Sequence, residues 1–269
     1  MTKFIYKFIL IWSEVDILKI ISRRPWMKKF YNKFGYIKKA IDNPEIMRKF
    51  KNSEFLPKKY GFNLDERVVE YPWVLSRIPQ DSKRLLDAGS ALNFREILDS
   101  PCLNNREITI AGLVPEKECF SRANLSYVFG DMRNLPFENG YFDYIVCIST
   151  LEHIGMDNIL YIKNAEYREN KPGDFKKVVL ELNRVLKYGG KLFITVPFGK
   201  HQGFGWFQQF DSNLIREIIN IFNPEKSEIS YYKYFNKDGW NISNKNDCRN
   251  AEYLTGISAQ AVACLELVK

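Results

Sequence analysis

The sequence predicts an α/β protein: a mostly parallel, doubly wound sheet carrying a helical N-terminal extension. Two observations predict it. Between Arg84 and Pro197, short apolar runs of strand length alternate with segments of helical spacing. Strands buried on both faces read as such near-continuous apolar runs. A third observation bounds the size, because 269 residues with 45% hydrophobic content suit one large domain with an extension.

Residues 1–79 read as mostly helical, with breaks expected at Pro25, Gly35, Pro44, Pro57 and Pro72. The domain proper is expected at 80–269. Phe4 to Ile21 is apolar but interrupted by Lys7, Glu14, Asp16 and Lys19. That excludes a spanning helix, and no small-residue cleavage site follows it. An amphipathic helix is expected instead, acting as a lid or resting on an anionic membrane surface. Behind it crowd Arg23, Arg24, Lys28, Lys29, Lys33, Lys38 and Lys39.

The first strand is expected at Arg84–Ala88 and ends at Gly89. Helical spacing follows from Leu92 to Leu98. Ile108–Leu113, Ser126–Phe129 and Phe142–Ile148 read as the second, third and fourth strands. Phe175–Leu186 has apolar residues at Val178, Val179, Leu182, Val185 and Leu186, the period of a helix. Gly189 and Gly190 give it a stop, and Lys191–Val196 is a fifth strand ended by Pro197. A helix from Asp211 to Phe222 precedes two more strand candidates, Ile229–Phe235 and Ala259–Val268. With no helix between them they suggest an antiparallel hairpin edge.

The net charge is +8, from 40 Lys and Arg against 32 Asp and Glu. Such a balance suits nucleic acid, an anionic membrane or a phosphorylated substrate. Outside the first 60 residues the basic side chains are dispersed, and no zinc knuckle or RNA-recognition motif accompanies them. The five cysteines are odd in number and form no CxxC pair, so neither a disulfide framework nor a metal site is indicated. A reducing, cytoplasmic setting is expected.

In doubly wound sheets, ligands bind outside the carboxyl ends of the strands, where strand order reverses. Three stretches lie at such ends. The first is Asp87-Ala88-Gly89-Ser90-Ala91-Leu92-Asn93, where glycine permits a close backbone approach. The second is Gly130-Asp131-Met132-Arg133-Asn134-Leu135-Pro136-Phe137, running into Phe142-Asp143. There an acid can accept from an exocyclic amine and a methionine can cover a ring. Its bland reading is a turn with a helix-capping aspartate. The third is Glu181-Leu182-Asn183-Arg184-Val185-Leu186-Lys187-Tyr188-Gly189-Gly190, which alone is only a helix, a stop and a strand.

In this order, the three resemble the class I S-adenosylmethionine-dependent methyltransferases, in particular their small-molecule type 11 branch. The resemblance covers residues 82 to 198. It implies a Rossmann-like sheet of seven strands with the last inserted antiparallel, and S-adenosylmethionine as methyl donor. It further implies that Asp87 and Gly89 flank the methionine part of the cofactor, with Ser90 in the same loop. Asp131 would accept from the adenine amino group, with Met132 against the ring. Ile148, Ser149 and Thr150 would line the sulfonium side.

Two departures from the family pattern stand out. Ala91 and Asn93 occupy positions where further glycines are usual, and Asn93 is expected to substitute through its tolerance of left-handed backbone. The usual ribose-binding acid after the second strand is missing. Glu116, two residues beyond Val114, is the candidate replacement, against an ordinary helix-start glutamate.

Methyl transfer from a sulfonium needs chiefly the alignment of acceptor, methyl carbon and sulfur, and a hydroxyl acceptor gains from a base. His153, just past the fourth strand, is the candidate base or substrate-orienting group, with Glu152 and Asp157 beside it. His201 is a second candidate, against a solvated loop residue. Gly203 to Asp211 combines aromatics and amides, which suit a sugar or other hydroxylated ring, or form a plain hydrophobic flap.

Three functional readings follow. The first is methylation of a small-molecule or glycan intermediate, at oxygen or nitrogen, in surface polysaccharide biosynthesis and with a phosphate-bearing acceptor. The second is a nucleic-acid methyltransferase, disfavoured because Ile148-Ser149-Thr150-Leu151 stands where base-amine methylases carry DPPY or NPPY. No nucleic-acid partner is expected. The third is a non-catalytic protein that kept the fold. A dinucleotide dehydrogenase is disfavoured because GxGxxG does not follow the first strand.

Overall fold

The computed structural model describes residues 25–116, 118–253 and 259–269. The amphipathic helix expected in Phe4–Ile21 lies outside the described residues. Three helices lead into the sheet: α1 (Pro25–Ile41), α2 (Pro44–Lys51) and α3 (Arg67–Arg77). Asn43 caps α2, its side chain accepting from the Glu45 and Ile46 amides at 3.0 and 3.2 Å. Proline follows at the first helical position, where its missing N–H costs nothing.

Two expected breaks do not occur. Gly35 sits inside α1, where Ile37, Ala40 and Ile41 bury the helix beyond it, and packing outweighs a glycine's cost of about 1 kcal/mol. Pro72 sits inside α3. The carbonyl it leaves without a helical donor, Val68 O, accepts the Tyr60 hydroxyl at 2.7 Å.

The strands are β1 (Leu85–Ala88), β2 (Ile108–Gly112), β3 (Leu125–Phe129), β4 (Phe142–Ile148) and β5 (Leu186–Pro197). After the two-residue hairpin β6 (Gln202–Gly203) and β7 (Gln208–Gln209) come β8 (Lys226–Phe235), β9 (Gly239–Ser243) and β10 (Ala261–Val268). The main sheet has the order β3-β2-β1-β4-β5-β10-β8-β9. β1 to β5 pair in parallel, and β10 is inserted antiparallel between β5 and β8. The sheet therefore has eight strands rather than the expected seven, because β9 folds back on β8 as an edge hairpin. The expected stop at Gly189 and Gly190 is a bulge within β5: Phe142 pairs with Leu186, but Tyr144 already pairs with Lys191.

Longer helices α6 (Phe175–Val185) and α7 (Ser212–Phe222) pack on one face; α4 (Arg95–Leu98), α5 (Ile159–Ile162) and α8 (Lys245–Cys248) are single turns. Alternation along the strands feeds two cores. Tyr144, Val146 and Ile148 of β4 face α1 to α3 with Trp73 and Phe193. Ile145 and Cys147 face the other way, into Val178, Val179 and Leu182 of α6 and Ile215 and Ile218 of α7. The N-terminal helices thus share a core with the sheet. Among the described residues, no helix is long and apolar enough to cross a membrane.

Candidate functional site

Strand order reverses between β1 and β4, and the loops leaving these two strands meet. Gly89 has φ +122°, and a Cβ there would lie 2.1 Å from Thr150 Oγ1. Only glycine lets the two loops approach this closely. Two non-glycine residues here also have positive φ: Ser90 at +61° and Ser149 at +40°. Such strain gathers where surrounding structure fixes a site. Asn93 does not adopt this conformation, contrary to expectation. Its amide donates to Glu118 O at 2.9 Å and its Oδ1 accepts from Tyr127 at 2.9 Å, so it braces the loop from behind.

Asp87 does not present its carboxylate to the crevice. Its oxygens accept from the Ala91 and Leu92 amides at 3.2 and 2.7 Å, shaping the loop. Burial raises its pKa to about 7, against those two hydrogen bonds. The buried Ser90 Oγ, by contrast, has no partner among the described residues. At the end of β2, the space beside Gly112 is bounded by Ser90 Cβ and the Glu116 carboxylate, 3.7 and 3.8 Å from where a Cβ would sit. Glu116 thus reaches back around Pro115 to the strand end.

Asp131 follows β3. It is gripped by Arg133, whose Nε donates at 3.0 and 2.8 Å and whose amide donates at 2.9 Å. Burial works the other way, yet these bonds hold the Asp131 carboxyl below its usual range. Its side chain stays 44% exposed, so the carboxylate retains capacity for another donor. Arg133 also pairs with Glu169 and Asp174 at 2.9 and 2.7 Å, tying this loop to the segment before α6. Met132 is only 8% exposed and packs in the core shared with Leu135 and Phe142.

A buried polar cluster that the sequence reading did not single out roofs the crevice. Glu70 of α3 accepts from Ser149 Oγ at 2.6 Å and Thr195 Oγ1 at 2.8 Å, and pairs with Arg67 at 3.1 Å. Glu66 accepts from the Ala259 amide at 3.1 Å. The usable signal was two acids four residues apart in a helical run that is apolar but for Arg67, which puts both on one buried face. Ser149 therefore turns its side chain beneath α3 and leaves its backbone at the strand end.

Glu152 and His153 lie in a single helical turn, Leu151–His153, directly after β4. Glu152 is 3% exposed and its Oε2 has no partner among the described residues. Burial, reinforced by Glu70 and Glu66, pushes its pKa up to about 8, against Arg67. His153 stacks on Trp206 at 5.5 Å and its Nδ1 lies 2.9 Å from Trp206 O. A carbonyl can only accept, so Nδ1 carries the proton and Nε2 the lone pair. Burial lowers the pKa of this imidazole to about 4. His201 stands apart from this turn. Exposed at the start of the β6–β7 hairpin, it donates through Nδ1 to Gln209 O at 3.0 Å.

These groups fit S-adenosylmethionine. Glu116 stands at the β2 end, where an acid is wanted for ribose hydroxyls. Asp131 and Gly130 border open space beyond β3, since a Cβ at Gly130 would meet nothing within 4 Å. Ser90 stands beside Glu116 at the β2 end, and its Oγ has no partner among the described residues.

Residues 106–194 match the methyltransferase domain family of type 11. No curated protein is matched by sequence. Among solved structures, the [4+2]-cyclase SpnF aligns at TM-score 0.41 and 16% identity over 58% of this chain and 57% of its own. The chain therefore spans little more than half that protein. The 1,6-didemethyltoxoflavin N1-methyltransferase of Burkholderia thailandensis, solved with S-adenosylhomocysteine, aligns at 0.42 and 12% identity over 70% and 72%. A phosphoethanolamine N-methyltransferase of Haemonchus contortus, solved with S-adenosylmethionine, aligns at 0.46 and 14% identity over 74% and 52%. The matched segment supplies β2 to β4 with their carboxyl-end loops and most of β5, and over that third of the chain the protein is similar to the type 11 methyltransferase domains.

Proposed function

We propose that the protein methylates a small acceptor, at oxygen or nitrogen, with a glycan intermediate as the preferred class. Work on surface polysaccharide in the cytoplasm fits this reading, and so does a phosphate-bearing acceptor, given the +8 net charge. The observation that carries it is the meeting of Gly89, Ser149 and Thr150 at the strand-order reversal, beside Glu116. In this reading Ser90, Glu116 and Asp131 hold the ribose and adenine, and the Gly89 and Ser149 backbones border the methionine portion. Asp87 and Asn93 act one step back, by fixing the loop. Met132 supports Asp131 from the core.

When bound, the cofactor supplies an electrophilic methyl on a good leaving group. The protein's part is alignment. The aromatic flap Phe204, Trp206 and Phe207 and the neutral His153 form the acceptor side and keep water away. Calorimetric titration with S-adenosylhomocysteine tests the reading. Glu116→Ala and Asp131→Ala should each weaken binding by about tenfold, the scale of one hydrogen bond to a charged group. Unchanged affinity in either variant removes that residue from the cofactor site, and no binding to the unaltered protein overturns the enzyme reading.

A further inference from the structure

The first turn of α3 lies against the crevice. Tyr71 donates to Ala91 O at 2.7 Å, in the loop leaving β1. Arg67 precedes it by one helical turn and shares its face. Arg67 Nη1 lies 3.5 Å from Ile148 O, the last carbonyl of β4. The guanidinium therefore stands between the loops leaving β1 and β4, where strand order reverses and Gly89 meets Thr150.

Glu70 holds this guanidinium from behind. Its Oε2 accepts from the same Nη1 at 3.1 Å, while its Oε1 takes the Ser149 and Thr195 hydroxyls at 2.6 and 2.8 Å. Wholly buried and satisfied by these donors, Glu70 fixes where the arginine sits. Among the described residues only Nη1 of the guanidinium is engaged. Nε and Nη2 have no partner there, yet neither is sealed from solvent, and the side chain is 28% exposed. These two nitrogens form the side-on edge of the group, a pair of parallel donors matched to the two oxygens of a carboxylate. A purely structural pairing would spend that fork on Glu70, which instead takes a single nitrogen. The other acids nearby do not fill it. Asp87 is spent on the Ala91 and Leu92 amides, and Glu66 accepts from the Ala259 amide. Glu152 receives no hydrogen bond from Arg67, and burial raises both Glu66 and Glu152, which reduces their charge at neutral pH.

We propose that Arg67 anchors the α-carboxylate of S-adenosylmethionine through its Nε–Nη2 edge; this rests on the methyl-transfer reading above. In that reading the Gly89 and Ser149 backbones border the amino-acid portion, and the guanidinium stands over the same strand ends. Arg67 lies outside residues 106–194, so the family match does not assign it. The N-terminal helices thereby supply part of the cofactor site. Arg67 is the binding residue, and Glu70 is the positioning residue that aims its fork.

S-adenosylhomocysteine and its decarboxylated counterpart, identical but for the carboxylate, test the assignment by calorimetric titration. S-adenosylhomocysteine should bind at least about tenfold more tightly than the decarboxylated compound. Arg67→Gln should cut that preference to about twofold while leaving the affinity for the decarboxylated compound within about twofold, which also reports that the variant folds. Arg67→Lys keeps a cation beside Glu70 but lacks the fork. It should reduce the preference about threefold, and it serves should Arg67→Gln not fold. Equal binding of the two compounds by the unaltered protein, or a preference undiminished in either folded variant, overturns the carboxylate contact. An equal loss of affinity for both compounds in Arg67→Gln overturns it too, since the arginine would then act only by shaping the loops. Binding of neither compound by the unaltered protein overturns the methyltransferase reading instead.

Discussion

At the scale of single residues, the site depends on groups whose chemistry is set by what they touch rather than by what they are. His153 shows this. Its Nδ1–H is committed to Trp206 O, and burial keeps the ring neutral down to about 4. Its folded value lies below the ordinary 6.5, so between these two pH values the unfolded chain binds the extra proton. In NMR, the His153 ring nitrogens should report an unchanging Nδ1-protonated neutral tautomer from pH 5 to 8. A titration centred near 6.5 would remove the buried placement. Gly89 is the other extreme, needed for having no side chain. Gly89→Ala forces a Cβ against Thr150 at φ +122°, at a backbone cost of about 1–3 kcal/mol before the clash is counted. Denaturant midpoints should fall accordingly, and S-adenosylhomocysteine binding should be lost with them.

At the scale of elements, α3 brings the acids to the strand ends. Trp73 anchors it, fully buried, edge-on to Phe193 at 6.3 Å and covered by the Arg77 guanidinium at 4.5 Å. Trp73→Ala should cost about 3–5 kcal/mol in urea unfolding. The buried acids packed around this helix make stability depend on pH. Glu152 is raised from 4.5 to about 8 and Asp87 from 3.8 to about 7, while Glu66 moves in the same direction, all chiefly through burial. Their folded forms bind protons that the unfolded chain has released, so this contribution is lost as pH rises. His153 has the opposite sign but is spent above 6.5. The melting temperature of the ligand-free protein should therefore fall between pH 6.5 and 8, and a flat or rising profile would contradict the buried acids. Much of this scale was legible in advance. The five parallel strands and the two long helices on either side of β5 followed from apolar periodicity, because each is buried on a face that the period records. The acid cluster was not legible, because Glu66, Glu70, Ser149, Thr195 and Glu152 come from three segments joined only by the fold. Ser90 rather than Asn93 takes the left-handed turn because Asn93 is held by Tyr127 and Glu118. β9 stayed hidden because Gly239–Ser243 is short and only partly apolar.

At the scale of the whole molecule, two cores lie on opposite faces of one sheet, and the candidate crevice opens where the sheet's strand order reverses between them. The loops lining it are held by groups from both sides: Glu70 of α3 grips Ser149, while Arg133 fastens Asp131 to Asp174 before α6. A ligand seated there touches loops braced against both cores, so its binding energy opposes the unfolding of either. For a ligand that binds only the folded chain, one hundred times its dissociation constant adds about 2.7 kcal/mol. In a chain of this size that corresponds to a rise of roughly 5–10 °C in melting temperature. S-adenosylhomocysteine should produce that rise in a single sharpened transition. Arg133→Ala cuts the tie on one side only, so in this variant the helical face around α6 should melt first and the ligand should rescue it less. A single transition with an undiminished shift in Arg133→Ala would mean that the Asp131 loop does not couple the ligand to the second core.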